Sequence, residues 1–189
     1  MSNNRRFSEK EQKMDLRTRK TLTAIRNAFI KLRAHKPLEK ITVKELTNEA
    51  QISKATFYLH YQDVYDLSSA MQNEVIESVF GNIAHPEYIL ENTAEFTREL
   101  FDAFMANLTL IEILFSGNQF SILPKRIEER IKESVFLLHP DRKDDVALNM
   151  LITYRVQGSF YVYEEYKKKA DNEIIIEVLS SIKPVSSAK

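Results

Sequence analysis

The 189-residue chain has no cysteine and only three glycines and five prolines. Lack of cysteine excludes disulfides, thiolate chemistry and cysteine-built zinc sites, and it fits a reducing compartment. Scarcity of glycine and proline leaves little material for hairpin turns or long loops. With 43% hydrophobic and 29% charged residues, the balance suits helices, so an all-α protein is expected. The glycines Gly81, Gly117 and Gly158 stand apart and cannot build a phosphate-cradling loop. No nucleophile with its base and orienting group is recognisable. His35, His85 and His139 lack ligand-like spacing to acidic partners, so they are expected to be structural or exposed. Neither an enzyme nor a bound cofactor or metal is expected. The opening MSNNRRFSEKEQKMD lacks the apolar stretch of a signal peptide. The most apolar later stretch, 148–163, contains Asn149, Arg155 and Gln157 and falls short of the roughly 20 apolar residues that cross a bilayer. A cytoplasmic protein with no membrane partner is the expectation.

Net charge is also lacking, but its distribution is uneven. Residues 1–61 hold 14 Lys and Arg against 6 Asp and Glu, and the remainder holds 13 against 21. A basic head on an acidic body can neutralise phosphates at one end while the other end is repelled from DNA. A merely solvated basic helix is the plain alternative.

At this length the chain forms one large domain or a small domain fused to a larger one, typical domains being roughly 100 to 200 residues. Residues 1–15 are polar and unpatterned and read as a flexible basic arm whose Arg5, Arg6, Lys10 and Lys13 can approach DNA. Leu22, Ile25, Phe29 and Leu32 then form one stripe of a helix over about 16–35, ended before Pro37. Thr42 and Glu45 match a capping box for a helix over 43–50. The turn Gln51-Ile52-Ser53 follows, and Ser53 suits the N-cap of a short helix over 54–61. Asp63 with Asp66 repeats a capping pattern before Leu67, Met71, Val75 and Val79, one face of a longer helix. Further helices are expected near 87–107, 109–116, 119–138, 142–168 and 171–183, about nine in all, with Asp171 capping the last. The resulting division is an arm, 1–15; a three-helix head, 16–62; and a helical body, 63–189.

A capped helix, a three-residue turn and a short helix rich in hydroxyl, aromatic and basic side chains is the helix-turn-helix layout, whose second helix enters the major groove. By pattern alone a structural helical hairpin fits equally well. The stretch TVKELTNEAQISKATFYLHYQDVYDL decides more, because it resembles the TetR/AcrR family signature. Thr56, Phe57, Tyr58, His60 and Tyr61 match, in order, the Thr-hydrophobic-Tyr-x-His/Tyr-aromatic string of the recognition helix. The resemblance covers about residues 16–72 closely and the rest only in length, helicity and general plan.

That resemblance implies DNA-contacting roles by position. Lys44 stands where a basic residue reaches a phosphate or a guanine edge, and Thr42 and Ser53 are expected to donate to phosphates. Lys54, Ala55 and Thr56 open the recognition helix and should lie nearest the bases. There lysine favours guanine O6/N7, and alanine or the threonine methyl meets a thymine methyl. Tyr58 and His60 match positions that touch the sugar-phosphate backbone, while Phe57 and Leu59 should be core. Two departures stand out: Ala55 replaces a common glycine, and Val64 replaces a lysine that commonly contacts phosphate.

The resemblance further implies double-stranded operator DNA as partner, palindromic half-sites about 34 to 36 Å apart, and therefore a homodimer, formed through the last two helices. It also implies a cavity in the body for a small ligand. Phe96, Phe101 and Tyr154 suggest one that is partly apolar, while the group Tyr154, Phe160, Tyr161 and Tyr163 suits core or interface as well as a pocket. A ligand-released repressor is the first expectation. A regulator, activator or co-regulator, controlled by a protein partner is the alternative.

Overall fold

The computed structural model describes residues 2–182, with side chains from residue 16 onward. The fold is all-α: ten α-helices and three short 3-10 turns lie among the described residues, and no strand does. Two compact units divide the chain, one of residues 1–73 with Glu112–Ser116, the other of Glu74–Ile111 with the residues from Gly117 on.

The first unit opens with α1 (Ser2–Arg33), so the stretch expected as a flexible arm forms, from Ser2 onward, the first turns of a longer helix. The side chains of Arg5, Arg6, Lys10 and Lys13 lie outside the described residues. Glu, Lys, Gln and Met between positions 9 and 14 are strong helix formers, and they extend a helix that carries no apolar stripe there. Ile25, Ala28 and Phe29, spaced for one face, are buried. Arg33 ends the helix with its guanidinium buried, Nη1 donating to the Lys36 carbonyl at 2.8 Å and Nη2 to that of Ser116 at 3.1 Å. Burial pushes its pKa below the usual arginine value, against an opposing pull from Glu39. A 3-10 turn (Leu38–Lys40) leads to α2 (Val43–Glu49) and α3 (Lys54–Tyr58), which pack on each other; α2 also packs on α1. The division between units falls within α4 (Val64–Gly81), between Asn73 and Glu74. It lies beyond residue 62 because Val64, Leu67 and Met71, in the first turns of α4, are buried side chains of the first unit.

The second unit contains α5 (Tyr88–Glu91), α6 (Thr93–Ala106), most of α7 (Leu108–Leu114), α8 (Leu123–Leu138), α9 (Val146–Tyr166) and α10 (Asn172–Ser181). The single helix expected over 87–107 is two, because the Asn92 side chain accepts from the Glu95 amide and starts α6. Before α8 a 3-10 turn (Gly117–Ile122) replaces the expected helical start, and Pro124 occupies the first turn, where its missing N–H costs nothing. Asp145 caps α9 through the Leu148 amide at 2.9 Å, four residues later than expected. Asp171 stands at the N-cap of α10 but makes no side-chain capping bond. In this unit α6 packs on α10 and α8 on α9, and Tyr163, Ile175 and Leu179 close the core against Phe101 and Phe104. No described helix is long and apolar enough to cross a membrane.

Candidate nucleic-acid interface

The capping box at α2 forms in full. The Thr42 hydroxyl accepts from the Glu45 amide at 3.2 Å, and a Glu45 carboxylate oxygen accepts from the Thr42 amide at 3.1 Å. The same carboxylate accepts the Thr42 hydroxyl proton at 3.0 Å. The Lys36 ammonium, then the Thr42 hydroxyl and amide, hold the Glu45 carboxyl below the usual carboxylate range. Thr42 therefore spends its one proton inside the cap, and the expected donation to a phosphate requires that bond to open. Lys44, on the exposed first turn of α2, is paired with no carboxylate among the described residues. Lys31 and Lys36, by contrast, bind Glu49 and Glu45.

The turn between the helices is held by the Ile52 amide donating to the Thr47 carbonyl at 3.0 Å. It passes through the left-handed region at Gln51, φ 55°. Glutamine carries no turn signal of its own, so this strain is not legible in the sequence. Ser53 then caps α3 as expected: its hydroxyl oxygen accepts from the Thr56 amide at 3.0 Å and lies 2.8 Å from the Thr56 hydroxyl.

On α3 Phe57 is fully buried, its ring 5.5 Å from Tyr58 and 5.9 Å from the buried Tyr61. Lys54, Ala55 and Tyr58 face solvent, and Thr56 and His60 are half-buried. Leu59 overturns its expected place in the core, being 80% exposed. Residues two apart in a helix are rotated by about 200°, so Phe57 and Leu59 cannot share a face; Leu59 falls four after Ala55, on the outward side. An exposed apolar side chain thus joins the candidate surface. Its spacing from Ala55 was the available signal. Val64, where a phosphate-contacting lysine was expected, is buried at the start of α4. Asp63 caps that start, accepting from the Asp66 amide at 2.8 Å, and Asp66 in turn accepts from the Gln62 amide at 2.9 Å.

The second unit contains a cavity of about 150 Å³ between α6, α8 and α9. Phe96 and Phe101, as expected, line it, with Phe104, Phe160 and Tyr163. Tyr154 is not among the lining residues; it is 69% exposed, as is Tyr161 at 70%. Helical rotation sorts these aromatics: Ile152, Val156 and Tyr163 turn inward, and Val146, Met150, Tyr154 and Tyr161 form an outward apolar face. Ile174 and Val178 on α10, and Ile182 just past its end, are likewise exposed. His85, expected to be structural or exposed, is exposed and pairs with an acid fourteen residues on: its Nδ1 lies 2.6 Å from Glu99 Oε1, and its backbone amide donates to Oε2 at 2.9 Å. That hydrogen bond raises the His85 pKa and lowers that of Glu99. Among the described residues no three His, Asp or Glu gather as metal ligands.

No protein-family model matches this chain, and no curated protein matches it.

Proposed function

We propose that the chain is a sequence-specific, non-enzymatic DNA-binding regulator of the TetR/AcrR kind, a cytoplasmic homodimer that represses from a palindromic operator and is released by a small ligand. The observation that carries this reading is the surface of α3: a Ser53-capped helix presenting Lys54, Ala55 and Tyr58 outward on a buried Phe57 anchor. Such a helix places a bidentate-capable donor, a small apolar contact and an aromatic hydroxyl where base edges and backbone would meet them. The positive balance of residues 1–61 supplies the phosphate attraction.

Dimerisation is supported by α9. A helix apolar on both sides is stable when both are covered, and its outward face, Val146, Met150, Tyr154 and Tyr161, has no cover among the described residues. With the exposed apolar residues of α10 it suits an isologous bundle between two copies.

The test is selection of bound duplexes from a random DNA pool, repeated with Tyr58→Ala and Lys54→Ala. A palindromic consensus is expected, lost with Tyr58→Ala and altered at one position per half-site with Lys54→Ala. No enrichment at low salt would sink the reading.

A further inference from the structure

The cavity of the second unit is lined almost wholly by hydrocarbon, and among its lining residues Arg155 alone is charged. A single water needs only about 10–15 Å³ of such space, so a cavity of about 150 Å³ has room for a much larger guest. Apolar walls give water few partners, so the site favours an apolar guest.

The chemistry at Arg155 narrows that guest further. Its Nη2 donates to the Ile182 carbonyl at the end of α10, while its Nε–H is buried without any partner. No carboxylate pairs with the guanidinium among the described residues, and half-burial depresses its pKa, the signature of a cation short of compensation. Arginine stays charged regardless, and its planar fork matches a carboxylate. Ser159, one turn further along the same side of α9, adds a hydroxyl to the cavity wall. One cation offsets one negative charge, which favours a monoanion over a dianionic phosphate.

We propose that this cavity binds an amphipathic monocarboxylate of the fatty-acid class, its hydrocarbon among Phe96, Phe101, Phe104 and Ile131 and its carboxylate on Arg155. The inference rests on the reading of the chain as a ligand-responsive regulator for its biological meaning, but binding itself needs no DNA. The full-length protein is titrated calorimetrically with decanoate and with 1-decanol, and the titrations are repeated on Arg155→Met and Arg155→Lys. Decanoate should bind the native chain more tightly than decanol. Arg155→Met should weaken decanoate by roughly tenfold or more, the loss of a charge-assisted pair, and leave decanol as tight or tighter. Arg155→Lys should fall between. A damaged fold would weaken both ligands together, so the divergence of the two is the diagnostic. Equal binding of acid and alcohol, indifference of decanoate to Arg155→Met, or no binding of either ligand would each overturn the proposal. Operator binding is measured separately: decanoate binding without any selected duplex would sink the regulator and spare this site, and the converse would do the reverse.

Discussion

Gln51 is the one non-glycine residue in the left-handed region among the described residues, and it occupies the turn that sets α3 against α2. For an L-residue this conformation costs roughly 1–2 kcal/mol, which glycine does not pay. Glycine brings its own penalty of roughly 0.5–1 kcal/mol in unfolded-state entropy, so Gln51→Gly should stabilise by about 0.5–1 kcal/mol. The side chain is exposed, and the turn's bonds come from the backbone of Ile52 and Gln51 itself, so little else changes. For a chain of this length the gain corresponds to a rise in Tm of about 1–4 °C. A β-branched residue fits the region worse than glutamine, so Gln51→Val should destabilise by about 1 kcal/mol or more. Thermal melts at fixed protein concentration should rank glycine above glutamine above valine. A lower Tm for Gln51→Gly, or equal melting of the valine variant, would refute the strain argument.

Two further outcomes follow from the second unit. The stability difference between the native chain and Glu99→Gln should peak where His85 is charged and Glu99 ionised, roughly between their ordinary values of 4.5 and 6.5. The raised His85 contributes fully below 6.5 and fades as pH climbs through its folded value, while the depressed Glu99 contributes above 4.5 and fades as pH drops through its own. Urea midpoints across pH check this, and a pH-independent difference would disprove it. Separately, Tyr154→Glu combined with Tyr161→Glu should break the proposed dimer. Burying a large apolar side chain contributes about 1.5–3 kcal/mol, and two tyrosines in each of two copies sum to about 6 kcal/mol or more, so the dissociation constant should rise by roughly ten-thousandfold or more. Analytical ultracentrifugation should find monomers with unchanged helicity, and a persisting dimer would move the interface elsewhere.

Much of the head was legible because its signals are local. Thr42 with Glu45 and Ser53 with Thr56 satisfy backbone amides three residues away, and Phe57 is anchored by its neighbours, so short windows of sequence sufficed. The outward place of Leu59 follows from helical rotation of about 100° per residue, which sets it on the side opposite Phe57. Other features depend on distance along the chain. The His85–Glu99 pair, the Arg33 bond to the Ser116 carbonyl and the convergence of α6, α8 and α9 around Arg155 join residues that no periodicity links. The helix starts at Asn92 and Asp145 are marked in the sequence by the capping residues themselves, each set in a polar stretch.

Helix α9 joins the two proposals. Its inward side contributes Ile152, Arg155, Val156, Ser159 and Tyr163 to the cavity, and its outward side presents Met150, Tyr154 and Tyr161. Arg155 follows Tyr154 directly in sequence, so a carboxylate held at Arg155 would sit on the same turn of α9 as the outward face. A ligand regulates only by the difference in its affinity for two states, and couplings of about 1–3 kcal/mol are typical. Here that difference would come from pairing the buried Arg155 Nε–H and from contacts with the apolar cavity walls. Because the tyrosines on the opposite side are the proposed dimer contact, the ligand's differential affinity would be expressed where two copies meet, without any direct contact between ligand and DNA.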